Sequence, residues 1–136
     1  MYIWEIEMSR LIDFKKRKDA IYVDKGNGTE VYYYIFDEYE IHYNKIKPHT
    51  IQQWHYHLQI EETIVVTQGQ LLCKWLENEQ EHQRYVKENE LVRVKQSIHT
   101  FENDTNNDVE FIVFRFVPDG KNKHEFIMND KTVIDR

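Results

Sequence analysis

The chain has very little of what usually braces or breaks a fold. A single cysteine, Cys73, among 136 residues rules out an internal disulfide and fits a reducing compartment. Only two prolines and four glycines occur, so most turns must be made by Asn, Asp and Glu. No apolar run approaches membrane-spanning length, so no membrane partner is expected. Met1–Glu7 has no basic region leading into an apolar run, so it does not read as a signal peptide, and the expected location is the cytoplasm. Charge of one sign is not concentrated: the net charge is −6, both signs are mixed, and Lys15-Lys16-Arg17-Lys18 is the only basic run. That run reads as a solvated loop or helix end, and no nucleic-acid footprint is expected.

What the chain does have is rings and β-formers. Aromatics make up 14% of it, with nine Tyr and seven Phe, which predicts a ring-lined core and cavity. Short β-rich runs recur between polar turns: 31–36, 39–46, 62–67, 71–76, 83–86, 91–94 and 109–117. Gly26-Asn27-Gly28 is a turn, Asp37-Glu38 joins the first two runs as a hairpin, and residues 103–108 form the most polar loop. Residues 1–14 are spaced nearer a helix than a strand and are expected to form a short helix or irregular lead-in. Residues 121–136 are a short C-terminal extension, one turn or strand packed on the rest. The length suits one domain over 1–136, and the fold class expected is an all-β sandwich or barrel.

One stretch stands apart. His55 and His57 flank Tyr56, Glu62 follows five residues after His57, and Gly69 closes the run seven residues later. On an extended strand the period of two sends both imidazoles to one face. Glu62 is an odd step away, so it joins them only if Leu58–Glu61 bends and Glu62 starts a new strand. Two His and a carboxylate are a recognised set for a divalent transition metal. Downstream, His99 is followed four residues later by Asn103, at the mouth of the polar loop.

These two stretches resemble the cupin family. Trp54–Gly69 is similar to the family's first motif, H-x-H-x(3,4)-E-x6-G, and Glu90–Asn103 to the end of its second, where three residues separate a His from an Asn. Two departures stand out: no Gly precedes the His pair, and Val94 and Gln96 stand where the second motif usually has Pro and Gly. The resemblance implies a cupin-type double-sheet jelly-roll barrel and a single divalent metal ion, zinc, manganese, iron or nickel, on His55, His57, Glu62 and His99. Glu61 is an alternative to Glu62, which is preferred for its distance to Gly69. The His-x-His strand is also similar to that of sugar-processing cupins such as type II phosphomannose isomerase domains.

Strand parity suggests the pocket wall. Ile64 and Val66 share parity with Glu62, and Phe101 and Asn103 share it with His99. Tyr56 sits between the two His, and Arg115 lies within an apolar strand, facing either a pocket, where it could hold a carboxylate or phosphate, or the outer surface. Cys73 reads as a small core residue and Trp75 as core or pocket wall. His42, His49, His82 and His124 are given no role.

The function expected is metal-dependent chemistry on a small oxygenated molecule: isomerase, epimerase or lyase action, with an iron-dependent dioxygenase as the alternative. An isomerase needs a base, for which Glu61, Tyr56 or a pocket Tyr are candidates. A non-catalytic binding barrel is the rival from another class. Apolar residues at outward positions (Thr63 and Val65; Leu72 and Leu76) predict a homodimer.

Overall fold

The computed structural model describes residues 11–118 and 124–135, without the side chains of 124–126. Among these residues the β-rich runs become twelve strands. They are β1 (Ile21–Asp24), β2 (Thr29–Ile35), β3 (Tyr39–Ile46), β4 (Thr50–Ile51), β5 (Trp54–His57) and β6 (Glu61–Gln68), then β7 (Leu71–Glu77), β8 (Gln80–Val86), β9 (Leu91–Arg93), β10 (His99–Asn103), β11 (Val109–Phe116) and β12 (Lys131–Ile134). A 3-10 turn, Arg17–Asp19, precedes them, and one short helix, α1 (His124–Asn129), precedes β12.

The strands form two antiparallel sheets, ordered β1-β2-β3-β11-β6-β9 and β12-β5-β10-β7-β8, with β4 pairing to β10. Burial alternates strictly along β3, along β5 and through Val66 on β6, as the period of a half-buried strand demands. The inward side chains, including Ile46, Ile64, Val66, Leu71, Phe101, Val109, Phe111 and Val113, make one core between the sheets. A smaller cluster, Ile60, Val117 and Ile127, fastens α1 to the barrel. The expected all-β architecture is what forms.

Turn chemistry follows the shortage of glycine. Asn78, Glu79 and Asn89 take positive φ in the turns after β7 and β8. Gly69 is needed where it stands: its φ is +82°, and a Cβ there would lie 3.1 Å from the Asp108 carbonyl oxygen.

Four regions differ from the sequence reading or extend it. The lead-in over 1–14 falls mostly outside the described residues, and 11–14 are exposed with no helix. β1, missed in sequence because Ile21–Asp24 is only four residues long, pairs with β2 and turns through Lys25 to Gly28. Leu72, expected on an outward face, is 4% exposed and already covered within this chain. The C-terminal extension is a full strand: β12 pairs with β5, and Lys131 stands opposite His57.

Candidate metal centre

The bend that the motif required is present, and its cause lies far away in sequence. Between β5 and β6 the chain leaves one sheet and enters the other. There the Asp130 carboxylate accepts the backbone N–H groups of Leu58, Gln59 and Ile60 at 2.9, 2.6 and 2.9 Å. Gln96 Nε2 donates to the Leu58 carbonyl at 3.0 Å. Three donors on one carboxylate pin the backbone at the step that changes parity, so Glu62 points inward and Glu61 outward. Glu61 instead pairs with Arg93 on the surface. The choice between the two carboxylates is therefore made by the backbone: Glu62 is 3% exposed and faces the histidines.

Cross-strand register brings the others in. His99 on β10 pairs directly with His55 on β5. Candidate ligand atoms of His55, His57, Glu62 and His99 all lie within 4.8 Å of one another, and all four residues are buried. The rings of His55 and His99 meet edge-on at 4.4 Å and those of His55 and His57 at 5.1 Å. The departures from the second motif do not prevent this: Lys95 takes positive φ at the turn, and Ser97 N–H donates to the Val94 carbonyl.

The donor set fits a metal ion. His55 Nδ1 bonds the Gln53 carbonyl at 2.9 Å and His99 Nδ1 the Ser97 carbonyl at 3.0 Å. Carbonyls only accept, so these bonds put the proton on Nδ1 and leave the Nε2 lone pairs aimed inward. Among the described residues, His99 Nε2 and both ring nitrogens of His57 are buried without a hydrogen-bond partner. Orphaned buried nitrogens are costly unless something binds them. Burial, then the neighbouring His99, pushes His55 down to about 3, and burial also lowers His99, so both rings are neutral as ligands must be. For Glu62 burial works against the charge, but Arg115, then His57, outweigh it and hold the carboxyl well below its usual range. Arg115 on β11 lies directly opposite Glu62 on β6, and its Nε donates to Oε2 at 2.5 Å. His57 Nε2 is 3.5 Å from the same oxygen.

Beside the cluster is a cavity of about 60 Å³ whose wall includes His55, Glu62, Ile64, Phe101 and Arg115. A larger groove, about 780 Å³, runs between β8 and β9 past Trp75, Tyr85 and Leu91, but none of the four cluster residues lines it. Size does not mark the chemistry here.

No protein-family model and no curated protein matches the sequence, whereas solved structures match the fold. A sugar phosphate isomerase of the cupin superfamily from Silicibacter pomeroyi aligns with a TM-score of 0.55, over 65% of this chain and 59% of that one, at 18% identity. An oxalate oxidase in complex with glycolate gives 0.62, over 79% and 60%, at 17% identity. A variant of oxalate decarboxylase from B. subtilis gives 0.69, over 87% and 31%, at 14% identity. The chain has the cupin fold. It spans less than two thirds of the length of each of these three structures.

Within the cupin barrel the remaining predicted site residues divide. Ile64, Phe101 and Arg115 line the cavity. Tyr56 lies on the opposite face of β5 from the His pair, and Val66 is fully buried two residues deeper than Ile64, in the core. Neither lines the cavity. Asn103, also buried, donates to the Ile46 and Asn107 carbonyls and accepts from Thr105, so it organises the polar loop instead. Cys73 is buried, which raises its thiol to about 11, and Trp75 packs against the core.

The sequence reading missed His42, Tyr33, Lys25 and Lys131, all of which line the cavity. His42 Nε2 bonds Glu40 Oε2 at 2.7 Å, with both residues almost fully buried. A usable signal was present: β3 alternates Glu40, His42, Asn44, Ile46 on its inner face, three polar residues where a core strand should be apolar.

Proposed function

We propose that this cupin is a metal-dependent enzyme acting on a small oxygenated molecule, of isomerase, epimerase or lyase type. The observation that carries the reading is the convergence of three imidazoles and Glu62, with orphaned ring nitrogens of His57 and His99, around one point. A divalent ion held there by His55, His57, Glu62 and His99 would act as a Lewis acid on a substrate oxygen in the adjoining cavity. The structural neighbours named for sugar phosphate and oxalate chemistry support a small oxygenated substrate.

Proton transfer falls to the chain itself. His42 presents its ring to the cavity while Glu40 takes Nε2–H, which leaves Nδ1 as the acceptor. Burial lowers its pKa against the pull of Glu40, so the ring starts neutral and can take a proton from a substrate carbon or hydroxyl. Glu61 and Tyr56 do not face the cavity, which leaves His42 and the cavity's Tyr33 as the groups within reach.

The free, buried Cys73 supports a reducing location such as the cytoplasm. A homodimer is supported by the rings on the outer face of the first sheet, where Phe114 is 39% exposed between Tyr39 and Phe116.

The test is elemental analysis of protein purified without chelator beside His57→Ala. About one equivalent of a divalent metal, lost in the variant, is the expected result. Iron as that metal would bring the dioxygenase reading forward. Protein that carries no metal and gains no thermal stability from added Zn, Mn, Fe or Ni would end the metalloenzyme reading and leave a binding barrel.

A further inference from the structure

The cavity beside the metal cluster is more cationic than metal binding requires. Two of its cations are set by strand register. Lys131 stands directly opposite His57 and Arg115 directly opposite Glu62, and directly paired residues of antiparallel strands project to the same face. Lys25 comes from the β1–β2 turn, where the Asp24 carboxylate accepts Gly26 N–H and the Asn27 side chain accepts Thr29 N–H. All three line the same cavity. Arg115 is engaged by Glu62, but among the described residues neither lysine ammonium has a carboxylate within ion-pair distance.

The negative charge facing this group is small. Glu62 is held by Arg115, and Glu40 lies behind His42, bonded to it. The other polar groups on the wall include Gln52, Gln53, Asn27 and the Tyr33 hydroxyl, which can all donate hydrogen bonds. Both lysines are exposed along their length yet crowded at the cavity. Partial loss of water first, and then the neighbouring Arg115 for Lys25, or Lys25 and Arg115 for Lys131, pull their pKa values down. Among the described residues Glu62 is the nearest carboxylate that both lysines feel, and Arg115 already engages it, so the surplus of like charge is relieved by an anion.

Volume limits which anion. A space of about 60 Å³, at roughly 10–15 Å³ per water-sized group, takes about four to six non-hydrogen atoms. A two- or three-carbon acid fits that space whole, whereas a hexose phosphate would have to project from it.

We propose that Lys25 and Lys131 form the anion subsite of this cavity, and that its ligand is a small carboxylate of two or three carbons. The inference deepens the metal-enzyme reading by naming the substrate class: the carboxylate lies toward the lysines at the rim, and the rest of the molecule toward His55 and Glu62. Arg115 backs the site through Glu62.

The test is calorimetric titration of protein of measured metal content with glycolate, with its neutral isostere glycolamide, and with inorganic phosphate. The protein is used as purified and as Lys25→Gln/Lys131→Gln. Both lysines are exposed, and the double variant is expected to keep its metal equivalents and melting temperature. Glycolate should bind at least tenfold more tightly than glycolamide, and the double variant should lose at least that factor. Equal binding of acid and amide, an unchanged affinity in the double variant, or phosphate binding more tightly than glycolate would each overturn the proposal. The two readings fail separately. Lysine-dependent glycolate binding in protein that takes up no metal would sink the metal reading alone, and metal uptake without lysine-dependent binding would sink this one alone.

Discussion

The barrel interior has two ends built on the same strands, and they obey opposite rules. On β6 the inward positions run Glu62, Ile64, Val66; on β11 they run Arg115, Val113, Phe111, Val109; on β3 they run Glu40, His42, Asn44, Ile46. One end is therefore a packed apolar core and the other a set of buried ionisable groups. The apolar end is held by area removed from water and needs no particular partner. The polar end depends on specific partners, as Glu62 does on Arg115 and the neutral His42 ring on its hydrogen bond to Glu40. The first end aligns the strands, and the second end uses that alignment.

The sharpest way to break this contrast is to remove one charge. Arg115→Ala should destabilise the metal-free protein by about 3 kcal/mol, because it strands Glu62 in the interior. That is the low end for a buried pair, since the guanidinium side chain remains 18% exposed. Replacing both partners, Glu62→Leu with Arg115→Met, should restore most of that stability while abolishing metal uptake. Urea unfolding of the two variants, with metal analysis of each, checks both statements. A double variant as unstable as the single would show that the ion pair is not what costs.

Acid should act on the polar end next. The folded pKa of His55 is depressed to about 3 and that of His99 is also lowered, against about 6.5 for an unfolded His. Between these limits the unfolded chain binds more protons, so stability is full above about pH 6.5 and falls as the pH drops toward 3. Glu62 adds to the loss below about pH 4.3, because its folded pKa lies under the unfolded value. Each such histidine contributes a slope of at most about 1.4 kcal/mol per pH unit. Thermal unfolding of metal-free protein from pH 8 to 4 reads this directly, and a flat profile would refute it.

Asp130 acts on the polar end from outside the interior. Asp130→Ala removes the acceptor for three backbone N–H groups and should cost about 1–3 kcal/mol. Its distinctive signature is weaker metal binding, since Glu62 loses the bend that aims it. Titration with a fluorescent metal indicator would separate that from simple destabilisation.

The smallest effect is expected at Glu61→Gln. Its partner Arg93 is a surface residue, and exposed pairs contribute little. Metal equivalents and melting temperature should match the parent; a loss of metal would reinstate Glu61 as a ligand.

The polar end was partly legible in sequence for a simple reason. His55, His57 and Glu62 lie on consecutive strands, so parity and one bend decide their face. Phe101 and Ile64 followed from parity as well. Val66 and Tyr56 did not: parity gives a face of a strand, not the depth along it, and Tyr56 was on the wrong face by parity itself. His42 had a signal in the polar inner face of β3, but Lys25 and Lys131 were out of reach, because each meets the cluster through the pairing of strands distant in sequence.

By itself, then, the sequence determined the all-β class, the two histidines on one face, the strand that starts near Glu62, and the use of Asn and Glu in place of Gly at turns. Those are local matters of period and backbone preference. Only the tertiary structure decided that Asp130 bends the chain to select Glu62 over Glu61, that Arg115 turns inward to hold it, and that two lysines from opposite ends of the chain meet at one cavity. These are outcomes of cross-strand register, which depends on which strands pair, and no local pattern in the chain carries that information.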